Sequence, residues 1–344
     1  MPPSVRCGQG AGCGSVDRVI DVIDPGVPLG RRLLRCLLAA LVSVALAVPL
    51  TGAARPGAVP APNPAHLSLL RSTPAALAER YAAGRAGILA AERMAADHGD
   101  QWRAAMLRAM ADPARQFLSF DGRDGGRAVE VFGDLSAAER IAVLVPGSDI
   151  NLDKYGLLRG GSIRLQQAMG GRSAVIAWLG YPTPRTVSLA VLTTARADEA
   201  VPGLRGFVRE LSAAKPGARI SLVCHSYGTV VCGRAASGLD VTDIVLCGSA
   251  GIGVSDVSAL HTRAAVWAGR GSGDWISRVP HTRLHLPFAT VGLGADPVSP
   301  RFGARIFAAG GGGHSDYLKA DSPSLENIAR IVSGRATAEV ARGA

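Results

Sequence analysis

From Gln116 to Val332, short apolar runs alternate with longer stretches in which apolar residues recur at helical spacing. Short runs rich in β-branched and aliphatic residues read as buried strands, and the three-to-four spacing reads as amphipathic helix. The pattern predicts strands at Gln116–Asp121 and Arg127–Phe132. Their connection, Gly122-Arg123-Asp124-Gly125-Gly126, is short and glycine-rich, which calls for an antiparallel hairpin. Further strands are expected at Ile141–Val145, Ala174–Trp178, Ile220–Cys224, Asp243–Leu246, Ala264–Trp267 and Arg305–Phe307. Helices are expected around Ile163–Met169, Phe207–Ala213, Thr229–Ala236 and Ser324–Val332. Strands alternating with helices argue for a parallel sheet, so the expected class is α/β, with an antiparallel hairpin at its start.

The chain before the sheet is helical. Leu70, Leu77, Tyr81, Ile88 and Met94 fall on one helical face; Ser72-Thr73-Pro74 starts that helix and His98-Gly99-Asp100 breaks it before Gln101–Met110. This preface either packs on the core or caps a site. Further upstream, Arg31-Arg32-Leu33-Leu34-Arg35 precedes an apolar run from Cys36 to Leu50, and Thr51-Gly52-Ala53-Ala54 follows it. Basic, apolar and small residues in that order make a secretory signal. The run is shorter than the ~20 residues of a comfortable membrane span, so an anchor is the alternative. The expected organisation is a disordered leader with signal peptide or anchor at 1–54 and a Pro/Ala linker at 55–65. A helical preface at 66–112, the α/β domain at 113–335 and a tail at 336–344 complete it. The expected location is secreted or cell-envelope, with membrane association through 36–50 as the alternative.

Composition changes this picture little. With 344 residues, 48% of them hydrophobic, the chain can bury one large α/β core. The net charge is +10, but the arginines are scattered and aromatics make up only 5%, which argues against a nucleic-acid partner. Beyond the signal region three cysteines remain, Cys224, Cys232 and Cys247. An oxidising compartment allows one disulfide among them. Cys224 and Cys247, at the ends of neighbouring strands, are a candidate pair; three buried small hydrophobes is the plainer alternative. No metal-ligand spacing occurs, Asp149, Asp153 and Asp316 are scattered, and Gly269-x-Gly271-x-Gly273 lacks the helix a dinucleotide site needs. No cofactor or metal is expected, and no oligomeric state is implied.

The chemistry concentrates in Arg219–Ser237, where a strand runs into His225-Ser226-Tyr227-Gly228 and then a helix. A serine at such a turn lifts its hydroxyl above the carboxyl edge of the sheet, next to the helix's positive end. Cys224 stands where a G-x-S-x-G pattern has its first glycine, and Gly228 supplies the second. Serine needs a histidine base and a buried carboxylate, in the order serine, acid, histidine on loops at that edge. Asp274 follows the Ala264–Trp267 strand, and His314 follows four glycines after the last strand. Asp296, before Pro297, is the rival acid, and His225 is expected to face away from the site. The developing oxyanion calls for two donors, expected from the amides of Tyr227 and, after Pro146-Gly147, Ser148. Trp178, Tyr181 and Phe288 are candidate substrate walls or ordinary core.

The blocks VLVPGS, AWLGYPTP, LVCHSYGT, CGSAGIGV, GRGSGD and GADPVSPRFGARIFAAGGGGHSDY resemble an actinobacterial α/β-hydrolase family of undefined physiological substrate. The resemblance runs from Phe117 to Val332 and implies the α/β-hydrolase fold with a Ser226, Asp274, His314 triad. The expectation is an exported serine hydrolase, esterase- or lipase-like, acting on a small-molecule or lipid ester. An acyltransferase with the same triad and a catalytically inactive binding protein are the alternatives.

Overall fold

The computed structural model describes residues 59–65, 68–281, 283–286 and 289–335. The leader and apolar run at 1–54, the first residues of the linker and the tail at 336–344 lie outside the described residues. Among the described residues no helix is long and apolar enough to cross a membrane.

Two helices come first, α1 (Pro74–Asp97) and α2 (Gln101–Met110). Thr73 caps α1 by accepting the Ala76 N–H, with proline in the first turn. Gly99 at φ 89° then lets the chain reverse, and Asp100 caps α2 through the Arg103 N–H at 2.9 Å. The preface packs on the core: Ile88, Ala91, Leu107 and Met110 join Phe117 and Phe120 in one hydrophobic cluster. At Gly84 the helix touches the first strand so closely that a Cβ there would lie 2.6 Å from the Phe117 carbonyl.

The strands are β1 (Gln116–Asp121), β2 (Arg127–Phe132), β3 (Arg140–Val145), β4 (Ser173–Leu179), β5 (Arg219–His225), β6 (Asp243–Cys247) and β7 (Ala265–Gly269). Two three-residue strands, β8 (Leu284–Leu286) and β9 (Ala289–Val291), form a separate antiparallel pair, and β10 (Arg305–Ile306) returns to the main sheet. The sheet has eight strands in the order β1-β2-β4-β3-β5-β6-β7-β10. β2 is antiparallel to β1 and β4, and every pairing from β4 through β3, β5, β6 and β7 to β10 is parallel.

Helices α3 (Tyr155–Met169), α4 (Ala195–Ala214), α5 (Gly228–Ala235) and α6 (Pro323–Val332) cover the two faces. One face packs with α4 and α5 around Val143, Ile176, Leu222 and Ile244. The other packs with α3 and α6 around Leu144, Val175, Val223 and Val245. Odd and even positions of a buried strand serve opposite cores, which is why these strands read as continuous apolar runs. The expected strands match these, most of them within a residue. Two expected helices begin too late: α3 starts at Tyr155 and α4 at Ala195. Gly156, Gly160 and Gly161 dilute the first half of α3, and α4 carries Pro202 within it, so local propensity understates both.

The cysteine pairing differs from the expected one. Cys224 is bonded to Cys232 and Cys247 is free and buried. The cross-strand partner of Cys224 is Leu246, not Cys247. Strand alternation therefore sends Cys247 to the opposite face, while α5 brings Cys232 over the face that Cys224 shares.

Candidate active site

β5 ends at His225, and Ser226 takes a left-handed φ of 53° before α5 begins at Gly228. A non-glycine residue in that region is strained unless its surroundings over-determine it. Here they do: the Ser226 N–H donates to the Cys247 carbonyl at 2.9 Å, and the Thr229 hydroxyl donates to the Ser226 carbonyl at 2.6 Å. The disulfide then joins the strand to the helix on either side of the turn. Gly228 answers the close approach of helix and sheet, since a Cβ there would lie 2.6 Å from the Pro146 carbonyl.

The structure brings Ser226, Asp274 and His314 together. His314 Nε2 lies 2.8 Å from Ser226 Oγ, and His314 Nδ1 lies 2.9 Å and 3.1 Å from the two Asp274 oxygens. A carboxylate only accepts, so Nδ1 carries the proton and Nε2 is left to accept from the serine hydroxyl. Asp274 is 1% exposed and also accepts from the Tyr317 hydroxyl at 2.6 Å and the Ile276 N–H at 2.9 Å. Burial alone would raise its pKa; the hydrogen bonds from Tyr317, Ile276 and His314 outweigh it and hold the carboxyl below its ordinary value. The rival acid, Asp296, is turned to Arg270 at 2.7 Å.

His225 does not face away from the site. Its Nε2 donates to the His314 carbonyl at 2.6 Å, and its ring lies 4.9 Å from the His314 ring. Trp275 packs against the same imidazole, also at 4.9 Å. Burial, and then the nearby His314, push the His225 pKa down to about 4, so it stays neutral. A histidine next to the serine at the end of a buried strand, and a tyrosine three residues after His314, were the available signals for these supporting groups.

Of the expected oxyanion donors, Tyr227 heads α5 with its side chain turned away, its hydroxyl donating to the Thr193 carbonyl at 2.7 Å. Ser148 follows Gly147, which lies so close to the elbow that a Cβ would be 3.2 Å from Ser226 Oγ. The loop is braced from below, where the Tyr181 hydroxyl donates to the Pro146 carbonyl at 2.7 Å. Trp178 and Tyr181 are buried in the core, and Phe288 lies outside the described residues. Among the described residues no group of three or more His, Cys, Asp or Glu side chains is gathered to hold a metal ion.

A mostly parallel eight-stranded sheet between helices, with an antiparallel β1–β2 pair and a serine elbow after β5, is the α/β-hydrolase fold. Residues 121–284 match a family model described as alpha/beta hydrolase. Among solved structures, the chain is similar to esterase PE8, with a TM-score of 0.41 and 17% identity over 60% of this chain and 97% of that one. It is similar to an α/β serine hydrolase without lid from Xanthomonas campestris, with a TM-score of 0.41 and 16% identity over 64% and 93% of the two chains. An α/β serine hydrolase homologue from Coxiella burnetii gives a TM-score of 0.40 and 10% identity over 64% and 96%. Among curated proteins no sequence matches the chain.

Proposed function

We propose that this chain is an exported serine hydrolase that cleaves an acyl ester through a covalent acyl-enzyme. The observation that carries the reading is the continuous hydrogen-bonded line from Ser226 Oγ through the His314 imidazole to Asp274. Ser226 Oγ attacks the ester carbonyl carbon as its proton passes to His314 Nε2. Asp274 stabilises the imidazolium so formed, and the amides of Tyr227 and Ser148 hold the negative oxygen of the tetrahedral intermediate. Collapse breaks the bond to the alcohol, which takes the proton from His314. Water then attacks the acyl-enzyme, giving its proton to His314, and the second collapse releases the carboxylic acid and restores Ser226.

Export is supported by the signal-like segment before residue 55 and by the Cys224–Cys232 disulfide, which an oxidising compartment favours. N-terminal sequencing of the secreted protein, with cleavage near Ala54, tests that part. The chemistry is tested with p-nitrophenyl butyrate on the wild type and on Ser226→Ala, which is expected to lose about 10⁶-fold in kcat. Products formed with and without an added alcohol distinguish hydrolysis from acyl transfer. No turnover by the wild type on any p-nitrophenyl ester from acetate to dodecanoate would overturn the reading.

A further inference from the structure

A cavity of about 200 Å³ adjoins the serine elbow on the α3 side of the sheet. Leu144, Ile150, Leu158, Val223, Cys247 and Leu318 make its walls. Its other boundary is formed by Gly147 and Ser315, the neighbours of the expected oxyanion donor Ser148 and of His314. The cavity therefore meets the site at the corner where an ester carbonyl would sit. Gly161 of α3 lies on its wall: a Cβ there would lie 2.9 Å from Leu318 Cδ1.

Three of the polar side chains on the lining are turned to protein partners, while Ser315 is exposed. His225 donates to the His314 carbonyl, Tyr317 donates to Asp274, and Arg164 donates to the Leu318 carbonyl. Burial raises the pKa of the Cys247 thiol, so it stays protonated and behaves as a small apolar group. A lining of this kind suits a hydrocarbon. We infer that this cavity holds the acyl chain of the substrate, an inference that rests on the serine-hydrolase reading. The acyl group must stay in place while the alcohol leaves and water enters, which a largely apolar pocket beside the elbow allows. The alcohol must depart past His314 Nε2 towards solvent. At roughly 30 Å³ per water-sized group the volume accommodates about six or seven carbons. The substrate class is an ester of a medium-length acid.

The test is kcat/KM for p-nitrophenyl acetate, butyrate, hexanoate, octanoate and dodecanoate on the wild type, Cys247→Met and Leu318→Ala. Ratios between chain lengths are internal to each protein, so a partly folded variant still reports. The wild type is expected to peak near hexanoate to octanoate and to fall at least tenfold by dodecanoate. Methionine at 247 fills the base of the cavity and moves the peak to shorter chains, changing the octanoate-to-butyrate ratio about tenfold, while alanine at 318 moves it to longer ones. Calorimetric titration of Ser226→Ala with octanoate, with and without Cys247→Met, reads the pocket without chemistry, and at least tenfold weaker binding in the double variant is expected. Octanoate binding that Cys247→Met weakens, with no ester turnover by the wild type, would leave the pocket standing and remove the hydrolase reading. Turnover whose chain-length peak neither variant moves would do the reverse and overturn the pocket.

Discussion

Asp243 opens β6 at the amino edge of the parallel sheet, and Asp274 follows β7 at the carboxyl edge; both are almost fully buried. Asp243 is met by a permanent cation, Arg219 at 2.7 Å, and by the Ser221 hydroxyl and the Trp267 indole N–H. Asp274 has no guanidinium beside it among the described residues; its partners are a tyrosine hydroxyl, a backbone amide and an imidazole. On the proposed reading, the difference separates a carboxylate that holds the fold from one that serves the reaction. A buried charge already neutralised by arginine has little to gain from a second cation. A carboxylate held by neutral donors keeps its attraction for the imidazolium that the proposed transfer of the Ser226 proton to His314 would form.

Exchanging each carboxylate for its amide is the most direct way to break this comparison. Asp274→Asn is expected to cut ester turnover about 10⁴-fold, by spoiling the His314 tautomer, with a much smaller change in melting temperature. Asp243→Asn should instead lower stability by about 3 kcal/mol, read by denaturant titration, since it leaves buried donors facing a neutral group. Its turnover at a temperature where it is folded should match the wild type. If both variants lost activity alike, the two edges would not differ in kind.

The elbow disulfide sharpens the contrast within the carboxyl edge. Closing a loop of eight residues should contribute roughly 2 kcal/mol, so Cys232→Ala should melt several degrees lower than the wild type in the absence of reductant. Added reductant should bring the two together. A pH-dependent effect is expected at His225. Its folded pKa of about 4 lies below the ordinary 6.5, so between those values the unfolded chain holds a proton the folded one lacks. Stability should therefore fall as pH drops from 6.5 towards 4, and His225→Gln should flatten that slope in melting curves. Above 6.5 the histidine should make no difference to the slope.

Much of this was legible because buried parallel strands announce themselves as apolar runs between glycine-rich turns, and the order of the loops then restricts where acid and base can lie. The placing of Asp274 and His314 beside Ser226 was legible in that way, one directly after β7 and the other after four glycines. Asp274 was preferred to Asp296 because it directly follows its strand, and in space Asp296 is engaged by Arg270, 26 residues away. The disulfide was missed for a reason of parity. Cys224 and Cys247 sit at the ends of adjacent strands yet point to opposite faces, whereas Cys232 reaches the face of Cys224 only because α5 folds back over it. The β8–β9 pair is too short for any period to show, and His225 looked idle because its partner is a backbone carbonyl, which no side-chain pattern reveals.

The central claim, that Ser226 is a nucleophile activated by His314 and Asp274, is tested most directly by treating the folded protein with a fluorophosphonate and mapping the adduct by peptide mass spectrometry. One phosphonyl group on the peptide carrying Ser226 is the expected result, absent from Ser226→Ala and strongly slowed in His314→Gln. An unlabelled wild type, or an adduct on another residue that persists in Ser226→Ala, would contradict it.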